Sequence, residues 1–169
     1  LVGVRALGLP VVLYRTEDGR AVALEDRCAH RAFPLSAGTL VGDEVRCGLC
    51  GFVYDADGQC VSVPTQPRVP FGAKVASYPV EERDGLVWVW LGEAGRARLH
   101  RVPELPWLDD EDWAGVGGAA EVEAGFLLLH ENFADVTQVP SVAPDIAPSV
   151  LGAAPPPLDV VLSETTVTL

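Results

Sequence analysis

The sequence contains no methionine, only three histidines, and 7% aromatic residues. Its 12 Lys and Arg are outnumbered by 24 Asp and Glu, giving a net charge of −12. That balance excludes a nucleic-acid binder, because phosphate contacts need clustered cations. An acidic surface keeps a protein in solution and can also draw a basic electron-transfer partner. No apolar run approaches the roughly 20 residues needed to cross a bilayer, so no membrane span is expected. No basic segment followed by an apolar stretch and a small-residue cleavage site opens the chain, and we expect a cytoplasmic protein. Residue 1 is Leu1, so the chain is expected to lack its true start.

What is present is apolar and β-rich. At 49% hydrophobic the chain can bury a substantial core. Val11-Val12-Leu13-Tyr14 and Ala21-Val22-Ala23-Leu24 flank Asp18-Gly19, and Phe52-Val53-Tyr54 and Cys60-Val61-Ser62-Val63 flank Asp57-Gly58. Asp-Gly between apolar runs is a hairpin signal, because Gly takes a positive φ without steric cost. Residues 75–80 are a strand candidate, and Asp84-Gly85 turns into Leu86-Val87-Trp88-Val89-Trp90-Leu91. Trp88 and Trp90 alternate with Val and read as core. Several short strands joined by turns predict a small antiparallel sandwich or barrel ending near Gly92.

Residues 93–120 change to Gly, Pro, Ala and acid, which reads as a linker; His100 lies there among arginines and is expected to be solvated. Residues 126–136 are the best helix candidate, with Phe126, Leu129, Phe133 and Val136 at helical spacing; the alternative is a strand over 126–129 with a helix starting later. Phe126, Leu129 and Phe133 are expected first as core, second as pocket lining. Pro140 is expected to end that helix. Residues 142–157 carry five prolines and read as loop, and residues 160–169 read as a strand. A chain that stops on a strand is expected to be cut short.

The chemistry sits in residues 28–52. Cys28-Ala29-His30-Arg31 is followed after fifteen residues by Cys47-Gly48-Leu49-Cys50-Gly51-Phe52. Two short loops, each with two thiol or imidazole donors, suit an iron–sulfur cluster or a zinc ion. Thiolates prefer such metals to hard cations. Without an export signal, the spacing favours metal over disulfide. Cys60 follows a hairpin and reads as a buried thiol.

Cys-x-His-Arg followed by Cys-x-x-ligand-Gly-aromatic resembles the Rieske [2Fe–2S] domain. The closest likeness is to α-subunits of Rieske non-haem iron oxygenases of the aromatic ring-hydroxylating and O-demethylating type. The likeness continues through Tyr54-Asp55-Ala56-Asp57-Gly58 and residues 85–92, and resumes at Glu131-Asn132-Phe133-Ala134-Asp135-Val136-Thr137-Gln138-Val139-Pro140. It implies a β-sandwich Rieske domain over residues 1–92, a linker over 93–120, and over 121–169 the start of an α+β catalytic domain with helices on an antiparallel sheet.

The resemblance places Cys28 and Cys47 on one iron and His30 on the other. The family has His where this chain has Cys50. A thiolate there adds negative charge and removes an imidazole, so the expected potential moves down from the Rieske range of roughly −150 to +300 mV towards the all-Cys value near −400 mV. The family's mononuclear Fe(II) is held by two His and a carboxylate. Asn132 and Asp135 match its helix motif, but Gln138 and Ala143 stand where the two His belong, and the carboxylate would lie beyond residue 169. The mononuclear site therefore reads as degenerate. Asp135 is the candidate electron bridge, and His130 lies off the motif.

The resemblance further implies a reductase or ferredoxin as electron donor, a small aromatic substrate, and a homotrimer. Three readings stay open: an oxygenase terminal component, a non-catalytic electron-transfer or redox-sensing module, and a zinc-stapled structural protein. Residues 64–70, with three prolines, are equally a shield over the cluster or a plain surface loop.

Overall fold

The structure is a computed structural model that describes residues 1–108, 110–115, 117–118, 120–142, 160–163 and 167–168. It divides into two compact units, residues 1–116 and residues 117–169.

The first unit is built from short antiparallel strands. β1 (Val2–Ala6), β2 (Leu9–Arg15), β3 (Ala21–Glu25) and β8 (Ser77–Tyr78) form one four-stranded sheet in that order. β4 (Thr39–Val41), β5 (Glu44–Arg46), β6 (Val53–Tyr54) and β7 (Cys60–Ser62) form a second. Register aligns Val12 with Leu24 and Tyr14 with Val22, so these four point to one face. They meet Leu35, Val45, Tyr54, Val63 and Val75 in a single core fed by both sheets. The expected antiparallel β architecture is therefore present.

Turn chemistry explains the hairpins. Asp84 (φ 53°) and Gly85 (φ 73°) form a two-residue turn with both φ values positive between β9 (Val80–Arg83) and β10 (Leu86–Val89). That is the turn whose twist matches a hairpin. Leu7 (φ 50°) and Gly8 (φ 81°) make the same turn between β1 and β2. Leu-Gly is not a usual signal for it, and sequence reasoning did not single out that hairpin.

Trp88 and Trp90 require a correction. They are half-buried, not core, and Trp90 stacks on exposed His100 at 4.7 Å. The reason is topological: β10 pairs only with β9, and this ribbon stands outside the two four-stranded sheets whose residues form the core. The segment after it is tied back to its turn. Arg83 Nη1 donates to the Val102 carbonyl at 3.1 Å, and the Leu105 amide donates to Asp84 Oδ2 at 2.9 Å.

In the second unit, α1 (Phe126–Ala134) is present where expected but stops short of Val136. The Asp135 carboxylate accepts the Thr137 amide and hydroxyl, a local turn that competes with the next helical bond. Pro140 does not end α1. It sits in the second position of α2 (Val139–Val142), where its missing N–H costs nothing. No residue of α1 is buried, and Phe126 and Phe133 are 69% and 77% exposed. Their expected core role is not met within this unit, because residues 126–129 are consecutively apolar and encircle the helix instead of forming a stripe. Residues 160–169 are not one strand: β11 (Val161–Leu162) pairs antiparallel with β12 (Val167–Thr168). The proline-rich loop expected over residues 142–157 lies, from residue 143 on, outside the described residues. Among the described residues, no helix is long and apolar enough to cross a membrane.

Candidate metal centre

The first ligand loop joins β3 to β4, and the second joins β5 to β6. Both are held by the same backbone frame. The Cys28 amide donates to the Phe33 carbonyl at 2.8 Å, and the Ala32 amide donates to the Cys28 carbonyl at 2.8 Å. In the second loop the Cys47 amide donates to Phe52 O at 2.8 Å, and the Gly51 amide donates to Cys47 O at 3.0 Å. The fifth residue of each loop has a positive φ, 53° at Ala32 and 73° at Gly51. Glycine takes that conformation freely; alanine does so against strain.

Side chains fasten the loops. Asp26 accepts the Ser36 amide at 2.7 Å and the Ser36 hydroxyl at 2.6 Å, closing the first loop at its base. A Cβ on Gly38 would lie 2.2 Å from the Arg46 carbonyl, so only glycine lets the first loop's exit approach the second loop's entry. Pro64 packs beside Gly51, where an added Cβ would lie 3.3 Å from the proline ring.

This frame brings three thiols together. The sulfur atoms of Cys28, Cys47 and Cys50 lie within 4.8 Å of one another, and Cys28 Sγ is 3.5 Å from Cys50 Sγ. Cys28 and Cys47 are each 2% exposed, and Cys50 is half-buried. Among the described residues this is the one group of three or more metal-ligating side chains so placed. His30, the fourth expected ligand, stands outside it. Its imidazole is exposed and stacks on Phe52 at 5.0 Å with planes 7° apart.

Sequence reasoning missed two contributors. Tyr54, fully buried, accepts the Ala29 amide on its hydroxyl oxygen at 3.0 Å, which leaves its proton for Cys28 Sγ at 3.2 Å. Tyr54 stood in the motif only as a strand residue; its spacing does not announce that contact. The Asp26–Ser36 clamp carries no sequence signal beyond two polar residues flanking the loop.

The electrostatics follow this geometry. Burial pushes the Cys28 thiol up, but hydrogen bonds from the Tyr54 hydroxyl, the His30 backbone and the neighbouring thiols outweigh it, so Cys28 ends below its ordinary value. Burial and the adjacent Cys28 push Cys50 up to about 12. Burial, then the Cys28 sulfur, raises Tyr54. Cys60 is a buried thiol whose Sγ donates to the Ser62 carbonyl at 3.5 Å, and burial raises it.

A cavity of about 400 Å³ opens beside the first loop, lined by His30, Arg27, Arg31, Lys74 and a single carboxylate, Glu25. None of the three cations has an ion-pair partner among the described residues. In a chain of net charge −12 the ligand loops thus face a cationic niche.

In the second unit Asp135 is exposed and spent on Thr137, as described above. Gln138 Nε2 donates to the Asn132 carbonyl at 2.9 Å and to Asn132 Oδ1 at 3.0 Å. Gln138, at a position where the resemblance would place an imidazole, thus has its amide engaged by Asn132. Ala143 lies outside the described residues.

Two antiparallel sheets carrying paired Cys loops define a metal-binding domain of iron–sulfur or zinc chemistry. Residues 1–79 match the Rieske [2Fe-2S] domain. This part of the chain belongs to the Rieske family, and the homologues of the chain include oxygenase subunits. It is 40% identical over 138 residues to the iron-sulfur subunit of the toluene-4-sulfonate monooxygenase system of Comamonas testosteroni, covering 82% of this chain and 40% of that one. It is 38% identical over 127 residues to the oxygenase subunit of a Pseudomonas vanillate O-demethylase, covering 75% and 38%. The crystal structure of dicamba monooxygenase bound to dicamba superposes with a TM-score of 0.77 at 36% identity, covering 82% of this chain and 42% of that one. The chain thus spans about two fifths of the length of these proteins.

The donor set fits the cluster that a Rieske domain implies. Three sulfurs already converge on one side of the two loops, and iron–sulfur clusters are held by thiolates with imidazole as the Rieske substitute.

Proposed function

We propose that this chain is the iron–sulfur portion of a Rieske-type oxygenase terminal component acting on an aromatic or similar apolar substrate. The observation that carries this reading is the convergence of Cys28, Cys47 and Cys50 on two loops with one shared frame. Cys28 and Cys47 would hold one iron, and His30 and Cys50 the other. A bound [2Fe–2S] cluster supplies one-electron transfer. Tyr54 holds a proton on Cys28 Sγ and so favours added negative charge there. Cys28 and Cys47 are buried, and Pro64 packs beside Gly51 of the second loop. His30 faces solvent at the cationic niche, which suits a reductase or ferredoxin with an acidic docking face. The domain division at 1–92, 93–120 and 121–169, a homotrimer with Asp135 as bridge, and a cytoplasmic setting belong to the same proposal.

A second reading is a non-catalytic electron-transfer or redox-sensing module. It is favoured by Gln138, whose amide is already bound to Asn132, and by the missing donor at Ala143. The third reading, structural zinc, draws on the same three thiols.

Iron and acid-labile sulfide analysis of protein purified without air, with an EPR spectrum after reduction, separates the three. About two irons, two sulfides and a rhombic signal are expected. About three irons, with oxygen uptake tied to product, would mark a working mononuclear site. Zinc without sulfide would overturn the redox reading.

A further inference from the structure

We propose that Cys28 and Cys50 form a site of oxidative modification: with no metal bound, peroxide closes them into a disulfide that joins the two ligand loops. The inference stands apart from the oxygenase reading, because it concerns the metal-free thiols alone.

The two sulfurs are 3.5 Å apart and belong to separate loops. An S–S bond of 2.05 Å requires them to approach by about 1.5 Å, a displacement that side-chain rotation can supply. Paired backbone bonds pin the first loop at Cys28 and bracket Cys50 in the second, from Cys47 to Gly51 and Phe52, so the loops that carry the two thiols are held in place. The Tyr54 hydroxyl lies 3.2 Å from Cys28 Sγ and holds that side chain in place beside Cys50. Cys50 is half-buried, so the pair is reachable from solvent although Cys28 is not. The capacity is a consequence of Cys50. An imidazole at that position, as the family resemblance would place there, cannot form a sulfur–sulfur bond.

The step balances with hydrogen peroxide as the two-electron oxidant. One thiolate attacks a peroxide oxygen, leaving a sulfenic acid and releasing hydroxide. The second sulfur attacks that sulfenic sulfur, the S–S bond forms, and a second hydroxide departs. The two thiol protons convert both hydroxides to water. The closed pair removes two donors from the metal site, and a reducing thiol restores them.

The test uses the whole chain stripped of metal by chelation, reduced, treated briefly with hydrogen peroxide, then unfolded and alkylated. The reduced chain has four free thiols. Oxidation is expected to leave two, with a product about 2 Da lighter before alkylation and one peptide joining Cys28 to Cys50. Cys47→Ser is expected to keep the crosslink, and Cys50→His to abolish it. Iron and sulfide uptake on reconstitution is expected to fall at least tenfold after oxidation and to return with dithiothreitol. Four alkylated thiols after peroxide, a Cys47–Cys50 linkage, or a crosslink that persists in Cys50→His would overturn the proposal. A reduced chain that forms the crosslink on oxidation yet takes up no cluster would sink the oxygenase reading and leave this one standing.

Discussion

Residues 28–33 and 47–52 share one hydrogen-bonded frame but differ in what hangs on it. The first loop carries Cys28, His30 and Ala32; the second carries Cys47, Cys50 and Gly51. Each frame needs an amide and a carbonyl on its Cys and a positive φ four residues on. Neither requirement depends on whether the second donor is imidazole or thiol. The backbone can therefore keep its geometry while the chemistry of the site changes. The second loop has the residue that suits the frame, Gly51, and the donor that departs from the family, Cys50. The first has the expected donor, His30, and a strained Ala32.

The largest break in this comparison comes from removing a sulfur common to both loops. Cys28→Ala and Cys47→Ala are each expected to reduce iron and sulfide to near zero, whereas Cys60→Ala leaves both unchanged, as metal analysis would read.

Next is Cys50→His, which makes the loops chemically alike. An EPR-monitored redox titration is expected to show the potential rising by about 100 mV or more, towards the Rieske range, with stronger pH dependence. An unchanged potential would place Cys50 outside the cluster.

Tyr54→Phe removes the proton donated to Cys28 and leaves the Ala29 amide without its partner. The expected loss is about 0.5–1.5 kcal/mol in urea unfolding, the net worth of a hydrogen bond, since Ala29 is exposed and water can replace its partner.

Alkali probes the other core tyrosine. Tyr14 donates to the Asp43 carbonyl at 3.2 Å, and burial, reinforced by Asp55, raises it from 10.0 to about 12. A folded value above the unfolded one means that its contribution is complete below pH 10.0 and is lost as pH rises towards about 12. Unfolding midpoints followed through that window should fall for the native chain, and fall less for Tyr14→Phe.

The smallest effects are at the two positive-φ positions. Ala32→Gly is expected to stabilise by about 0.5 kcal/mol, and Gly51→Ala to destabilise by about 1 kcal/mol or more, because Pro64 leaves its Cβ little room. Equal responses would show that the loops do not differ in strain.

Much of the first unit was legible because its signals are local. Asp84-Gly85 specifies its own turn, and Ala21-Val22-Ala23-Leu24 is apolar throughout because β3 is an interior strand. Trp88 and Trp90 were misread because alternation reports a buried face only when a second layer covers it. The reach of α1 was misread because Asp135 makes its own side-chain bonds, which a spacing rule does not weigh.

By itself, the sequence determined which atoms could bind metal and which positions could turn. Donor chemistry and allowed φ values belong to single residues and need no fold. The tertiary structure alone decided which donors meet. Cys28 and Cys50 are 22 positions apart and lie 3.5 Å from each other, while His30, two positions from Cys28, turns to Phe52 instead. It also decided that Tyr54 serves a sulfur and that Asp26 clamps Ser36. Such contacts join residues distant in the chain, and they exist only because two sheets share one core and bring the two loops together.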